Sequence, residues 1–283
     1  CLNHLQYMRA AFVSAMLMLA TMTTMAQETT TPTNNGPRIH GNVYGGGNVA
    51  DVGGDTEINV TAGIVSQDVF GGGKGQTTTV VGSVTVNIGS VTSGDTPTYS
   101  GNGKVVGDVY GGSALGNVNA TKATDYQTSQ NLSLTTGKET KVNLYGGTVE
   151  GNFYGGGLGQ QEREAKAAKG TEGDPDYEPA VEPQEAIAAN VYGPVTVTVN
   201  GGTATNVFGC NNLNGSPQQG VVVNITGGTV NQDVFGGGHM ADAIGQITVN
   251  MQGGIVRRDV YGGGALASTN KGYRTVTGLT TGT

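Results

Sequence analysis

The chain has 283 residues, of which 51 are Gly, 8 are Pro and none is Trp; only 12% are charged, and the formal net charge is −7. Collagen would need a strict three-residue Gly period and abundant Pro, and a disordered chain would lack the dense Val, Ile and Thr alternation found here. An all-β protein with many tight turns fits this composition, and the absence of any basic run or patch argues against a nucleic-acid partner.

Arg9 precedes an apolar run from Ala10 to Ala20 and then small residues from Thr21 to Ala26, the three-part pattern of a secretory signal peptide. That run has 11 residues, short of the ~20 that cross a bilayer, so no membrane span is expected in the mature chain. Residues 1–26 are read as removed, 27–37 as a linker and 38–283 as the repeat domain. Cleavage would leave 13 basic against 21 acidic residues, a net charge of −8. It would also leave Cys210 as the one cysteine, excluding an internal disulfide. Cys210 stands where other copies of the repeat carry Gly and reads as a tolerated small residue.

The repeat begins at Asn42-Val43-Tyr44-Gly45 and returns as Asp68-Val69-Phe70-Gly71, Asp108-Val109-Tyr110-Gly111, Asn152-Phe153-Tyr154-Gly155, Asn206-Val207-Phe208-Gly209, Asp233-Val234-Phe235-Gly236 and Asp259-Val260-Tyr261-Gly262. The aromatic period is 26 or 27 residues where no insertion intervenes. Between copies, segments such as Ile247-Thr248-Val249-Asn250-Met251 alternate with period two, as half-buried strands do. Short strands joined by Gly corners at this period predict a parallel β-helix, a β-solenoid of about seven coils with ~26-residue period and long loop insertions.

Stacking at ~4.8 Å per rung predicts two ladders. The aromatics Tyr44, Phe70, Tyr110, Tyr154, Phe208, Phe235 and Tyr261 form one. Asn59, Asn87, Asn143, Asn224 and Asn250 form the other, with Thr198 in place of Asn in one coil. Both have a structural explanation, so neither is assigned a binding role. The Asp or Asn two before each aromatic is more ambiguous, because Asp68 falls near Asp108 and Asp233 near Asp259. Either these carboxylates face water or cap turn amides, or a hard cation such as Ca²⁺ sits between them. No cofactor is otherwise expected.

Insertions are expected at 89–105, 113–140 and 158–190. The two longer ones belong to adjacent coils and are expected to leave the same Gly corner side by side, where insertions in repeat arrays commonly build a contact surface. The first is rich in Thr, Ser and Asn. The second opens with a short helix candidate, 161–169, and holds eight acidic residues against three basic ones. Its plainer reading is a solubilising insertion with no specific role. The ligand-contact candidates on or beside these loops are Tyr126, Glu162, Glu164, Asp174, Asp176, Tyr177 and Tyr192.

Catalysis finds little support. Glycan-active carboxylates must lie within a few ångströms of one another, or pair with a base. His40 and His239 fall about five coils apart, roughly 24 Å. Asp51, Asp55 and Glu57 are the one compact acidic group outside the second insertion, and their own coil offers no basic partner. Gly71-Gly72-Gly73-Lys74-Gly75-Gln76 lacks the Ser or Thr that follows Lys in a phosphate loop.

The repeated Asp/Asn-Val-Tyr/Phe-Gly-Gly-Gly and Gly-Gly-Thr-Val, following a signal that ends in Ala26-Gln27, resemble the surface-exposed adhesin-like β-helix proteins of Bacteroidota-type bacteria. The resemblance covers Arg38 to the C-terminus. It implies a secreted or cell-surface location, an adhesive or structural role, and a host or matrix protein or a glycan as partner. It carries over no site residues. The last coil shows no polar cap, so the chain is expected to be part of a longer polypeptide. The expectation is a non-enzymatic exported adhesin or stalk. The alternatives are a polysaccharide-active β-helix (a lyase or hydrolase) and a Ca²⁺-stabilised solenoid module.

Overall fold

The computed structural model describes residues 36–122 and 132–270. The signal segment 1–26 and Tyr126 lie outside the described residues. All the regular structure is β, arranged as a parallel β-helix whose corners are the sequence repeats. Among the described residues no helix is long and apolar enough to cross a membrane.

Three long ladders run the length of the solenoid. One joins six five-residue strands in parallel register: Thr56–Val60, Val84–Ile88, Thr140–Leu144, Val195–Val199, Val221–Ile225 and Ile247–Met251. Their alternation places Val84, Val86 and Ile88, and most of their counterparts above and below, in the central core. The second ladder has seven two-residue strands, from Arg38–Ile39 to Ile255–Val256, and the third has seven, from Val43–Tyr44 to Val260–Tyr261.

Two glycine positions explain why the corners cannot vary. After each long strand the chain turns through a left-handed residue, with φ +84° at Gly63, +78° at Gly147, +65° at Gly202, +69° at Gly228 and +75° at Gly254. A side chain there would be strained. The first Gly after each aromatic but the last is fixed by crowding instead. A Cβ on Gly111 would lie 2.3 Å from the Gly155 carbonyl oxygen, and one on Gly209 2.1 Å from that of Gly236.

Each third-ladder strand separates two cores. The residue before the aromatic, such as Val69, Val109, Phe153 or Val207, enters the central core. The aromatic faces the other way, into a second cluster closed by Ala114, Leu115, Leu158 and Ala265. There the seven rings form one stack, with centroids 4.7–5.1 Å apart and planes within 10° of parallel. The amide ladder is also present. Asn87 Nδ2 donates to Asn59 Oδ1 at 2.8 Å, Asn143 to Asn87 at 2.8 Å and Asn250 to Asn224 at 2.9 Å, with Thr198 in register between the two runs.

A fourth, shorter ladder was not foreseen. Thr79–Val80 pairs with Asn117–Val118, and single parallel bridges extend the column from Val52 through Val80, Val118 and Val191 to Pro217. This column revises the layout of the two long insertions. Residues 113–118 stay on the scaffold, and a hairpin of Ala120–Lys122 with Leu132–Leu134 leaves only after the fourth ladder. The second insertion departs at Gln160, before that ladder, and returns at Ile187. The two therefore leave different corners. Asn119, fully buried with φ +57°, makes the turn at the foot of the hairpin by donating to the Gly82 and Glu139 carbonyls and accepting from Thr140. In the shorter insertion, Ser90–Thr92 and Thr98–Ser100 form a hairpin whose Tyr99 stacks on Tyr145 at 5.7 Å.

Residues 161–169 are not a helix. They form one side of an antiparallel ribbon, paired as Gln160–Ile187, Arg163–Gln184, Lys166–Val181 and Lys169–Glu178, each with backbone bonds in both directions. An isolated nine-residue helix is marginal in water, whereas this ribbon satisfies backbone groups on both arms. The pairing falls on every third residue, so Pro179 and Pro183 occupy unbonded positions where a missing N–H costs nothing. Long side chains at paired positions reach across: Gln160 Nε2 donates to the Glu185 carbonyl, Arg163 Nε to that of Glu182 and Gln184 Nε2 to that of Gln161.

Two substitutions test these accounts. Phe208→Ala, in the buried middle of the stack, should lower unfolding free energy by about 3–5 kcal/mol in urea titration, and Tyr261→Ala, on the exposed last coil, by much less. Val181→Pro removes a paired N–H where Pro179 and Pro183 do not; trypsin should then cut at Lys166 and Lys169 at least several-fold faster, with the melting temperature of the solenoid unchanged.

Candidate functional site

The Asp/Asn ladder decides what the repeat motif leaves free. Asn42 Oδ1 accepts the Asp68 N–H at 2.8 Å, Asp68 Oδ1 accepts that of Asp108 at 2.8 Å, and Asp108 Oδ1 that of Asn152 at 2.6 Å. Asn206 and Asp233 do the same for Asp233 and Asp259, both at 3.0 Å. One oxygen per side chain is thus committed to the coil above, which is how like charges come to lie close together along the ladder.

The second carboxylate oxygen depends on the ring two residues on. Tyr110 Oη donates to Asp108 Oδ2 at 2.9 Å, and Tyr261 Oη to Asp259 Oδ2 at 3.1 Å. Arg258 lies 3.5 Å from Asp233 Oδ2. Beside Asp68 the ring is Phe70, which has no hydroxyl to give. Burial raises the Asp68 pKa above its ordinary value, and the charge of Asp108 adds to the rise, against a lowering by the Asp108 N–H. Further along, Asn212 Nδ2 donates to Tyr110 Oη at 2.8 Å, and Asn212 Oδ1 lies 3.1 Å from His239 Nδ1. Burial pushes the Tyr110 phenol far up, so it serves as a fixed hydrogen-bonding group.

Beside this flank lies a groove of about 360 Å³. Its lining includes Asn42, Tyr44, Asp68 and Phe70 from the first two coils and Leu115, Leu158 and Leu213 from the next three. Lys74, Gln160 and Gln184 complete the lining. Gln160 and Gln184 belong to the ribbon and Asn42 to the first coil, so the ribbon and the N-terminal coils line the groove together. Its size falls in the lower part of the range of small-molecule sites, about 300–1,000 Å³.

The residues singled out from sequence lie elsewhere. Glu162 and Glu164 are exposed on one arm of the ribbon, Asp174 and Asp176 are exposed in its terminal turn, and Tyr177 is half-buried there. Tyr192 sits on the scaffold, its N–H donating to the Val118 carbonyl at 3.0 Å, with burial raising its phenol pKa. None of these six lines the groove. A signal for the groove did exist: Leu115, Leu158, Leu213, Met240 and Leu266 recur four or five residues after an aromatic.

The acidic group at Asp51 and Asp55 gains its partners from the first hairpin and its return. Lys122 Nζ lies 2.7 Å from Asp51 Oδ2, and Lys138 Nζ 2.8 Å from Asp55 Oδ1. Asp51 also accepts the Thr79 N–H and Asp55 that of Ser83, both at 2.8 Å. The hydrogen bond from Lys138 and then that from Ser83 lower the Asp55 pKa. Cys210 is fully buried in the central core, where burial pushes its thiol pKa up, as befits a packing residue. Among the described residues, no three or more His, Cys, Asp or Glu converge as metal ligands do.

Comparison with known proteins returned no matching family model, no matching curated protein and no matching solved structure.

Asp68 holds its proton more tightly folded than unfolded, so its contribution is most favourable below the ordinary aspartate range and fades as pH rises through its raised folded value. The difference in unfolding free energy between wild type and Asp68→Asn should therefore move against the wild type from about pH 4 toward neutrality. Urea titrations across that range check it; a pH-independent difference would refute it. Asp55, with its pKa lowered, has the opposite sign, and its contribution is lost as pH falls through its folded value.

Proposed function

We propose that the protein is an exported, non-enzymatic β-helical adhesin or stalk whose contact surface is the 160–187 ribbon and the groove it helps to line, with a host or matrix protein or a glycan as partner. One observation carries the reading: the ribbon is held by its own backbone pairing rather than by the coils, and its Gln160 and Gln184 line a groove beside the ring stack. The carboxylates at Asp51 and Asp55, the best candidates for glycan chemistry, are each engaged by a lysine and a backbone N–H. That favours attachment over turnover. The apolar leader supports export, and the resemblance to adhesin-like surface proteins supports placement at the cell surface.

Joining Gln160 to Ile187 through an Asn-Gly turn removes the ribbon at its bonded base and leaves every coil intact. The shortened protein should melt within a few degrees of wild type and lose at least tenfold in attachment of coated beads to cells or matrix. Undiminished attachment would sink the contact-surface reading. Turnover of an acidic glycan, lost on Asp51→Asn or Asp55→Asn, would replace it with an enzymatic one.

A further inference from the structure

We propose that the groove binds a neutral, hydroxyl-rich oligosaccharide, an inference that rests on the contact-surface reading and names its ligand. The first argument is the inventory of hydrogen-bonding groups. Asp68 brings a carboxylate oxygen that no tyrosine reaches, because residue 70 is Phe. Gln160 and Gln184 each donate an amide N–H to a ribbon carbonyl, which leaves their Oε1 atoms as acceptors. Lys74 is the one cationic donor in the lining. The Asn42 amide and the Tyr44 hydroxyl add neutral donors, and acceptors interleaved with donors match a ligand whose many hydroxyl groups each donate and accept.

Charge narrows the choice. A cationic peptide would meet Lys74, and an anionic chain would meet Asp68 in a half-buried position where an unmatched charge is costly. A wholly apolar ligand would strip water from Asp68 and give nothing back. Sugar hydroxyls can donate to the carboxylate and accept from the lysine, while the C–H face of a ring packs on Leu115, Leu158 and Leu213.

Shape gives the second argument. The lining is drawn from five successive coils, marked by Tyr44, Phe70, Leu115, Leu158 and Leu213, so it extends about 19 Å at ~4.8 Å per rung. That is a trough for a short chain rather than a pit for a single ring. The raised pKa of Asp68 agrees with a carboxylate that lacks a strong partner until a donor arrives.

The test is calorimetric titration of the full chain with neutral tetrasaccharides of β-linked glucose, xylose and mannose and of α-linked glucose, beside tetralysine and a tetramer of galacturonic acid. At least one neutral tetrasaccharide should bind. Asp68→Asn keeps the oxygen the ladder needs, as Asn42 shows one coil below, and should weaken binding about tenfold or more. Phe70→Tyr keeps the ring stack but supplies a hydroxyl to the spare oxygen, as Tyr110 does for Asp108, and should abolish binding with the melting temperature preserved. No neutral binding up to ~1 mM, tetralysine or the acidic tetramer binding more tightly, or neutral binding unchanged in both variants would each overturn the proposal. Attachment lost on ribbon removal without saccharide binding overturns this inference and leaves the contact surface standing. Saccharide binding with attachment retained after ribbon removal overturns the attachment reading alone.

Discussion

Everything in this molecule follows from one constraint: each coil hydrogen-bonds to an equivalent coil directly above it. In the third ladder the Val69 N–H donates to the Asp108 carbonyl and the Val109 N–H to that of Asn152. A side chain therefore meets its own counterpart at one rung's distance, and only residues that stack on themselves persist. Rings lie on rings, and amides bond to amides. An acid cannot stack comfortably on an acid, and the corner resolves this by giving the acid a second task. The N–H of Asp108 finds its acceptor in the short side chain of Asp68 below, a reach that suits Asp or Asn.

The same constraint separates scaffold from site. Residues that repeat have their hydrogen-bonding capacity absorbed by neighbouring coils. Capacity is left over only where the pattern slips, and the change from Tyr to Phe at position 70 is such a slip. It removes one hydroxyl without disturbing the stack, and it frees a carboxylate oxygen in a groove that ribbon glutamines and three leucines also line. A binding feature can thus arise on a solenoid without any departure from its backbone plan.

The architecture was legible because it is written many times over. Period, ladder composition and the alternation within strands are each stated in several copies, so one ambiguous coil does not mislead. The fourth ladder was hidden because its members, Val52, Val80, Val118, Val191 and Pro217, sit at variable distances from the aromatics and pair over no more than two residues. The ribbon was misread because Ala, Lys and Glu at 161–169 have high intrinsic helix propensity, whereas the partner that overrides it lies across the turn. The groove was missed for a different reason. Asp68 and Phe70 look like scaffold in any one coil, and their significance appears only when the hydroxyl at Tyr110 is compared with its absence at Phe70.

The ribbon also has a counting rule. Its arms bond at Gln160, Arg163, Lys166 and Lys169 on one side and at Glu178, Val181, Gln184 and Ile187 on the other. Adding or removing residues preserves the match only when each arm changes by three. A change of one or two would move Pro179 or Pro183 onto a position that must donate. Arm length is therefore quantised, and so is how far along the flank the ribbon can extend. Related sequences with a longer or shorter reach should differ by multiples of six residues, divided equally about the terminal turn.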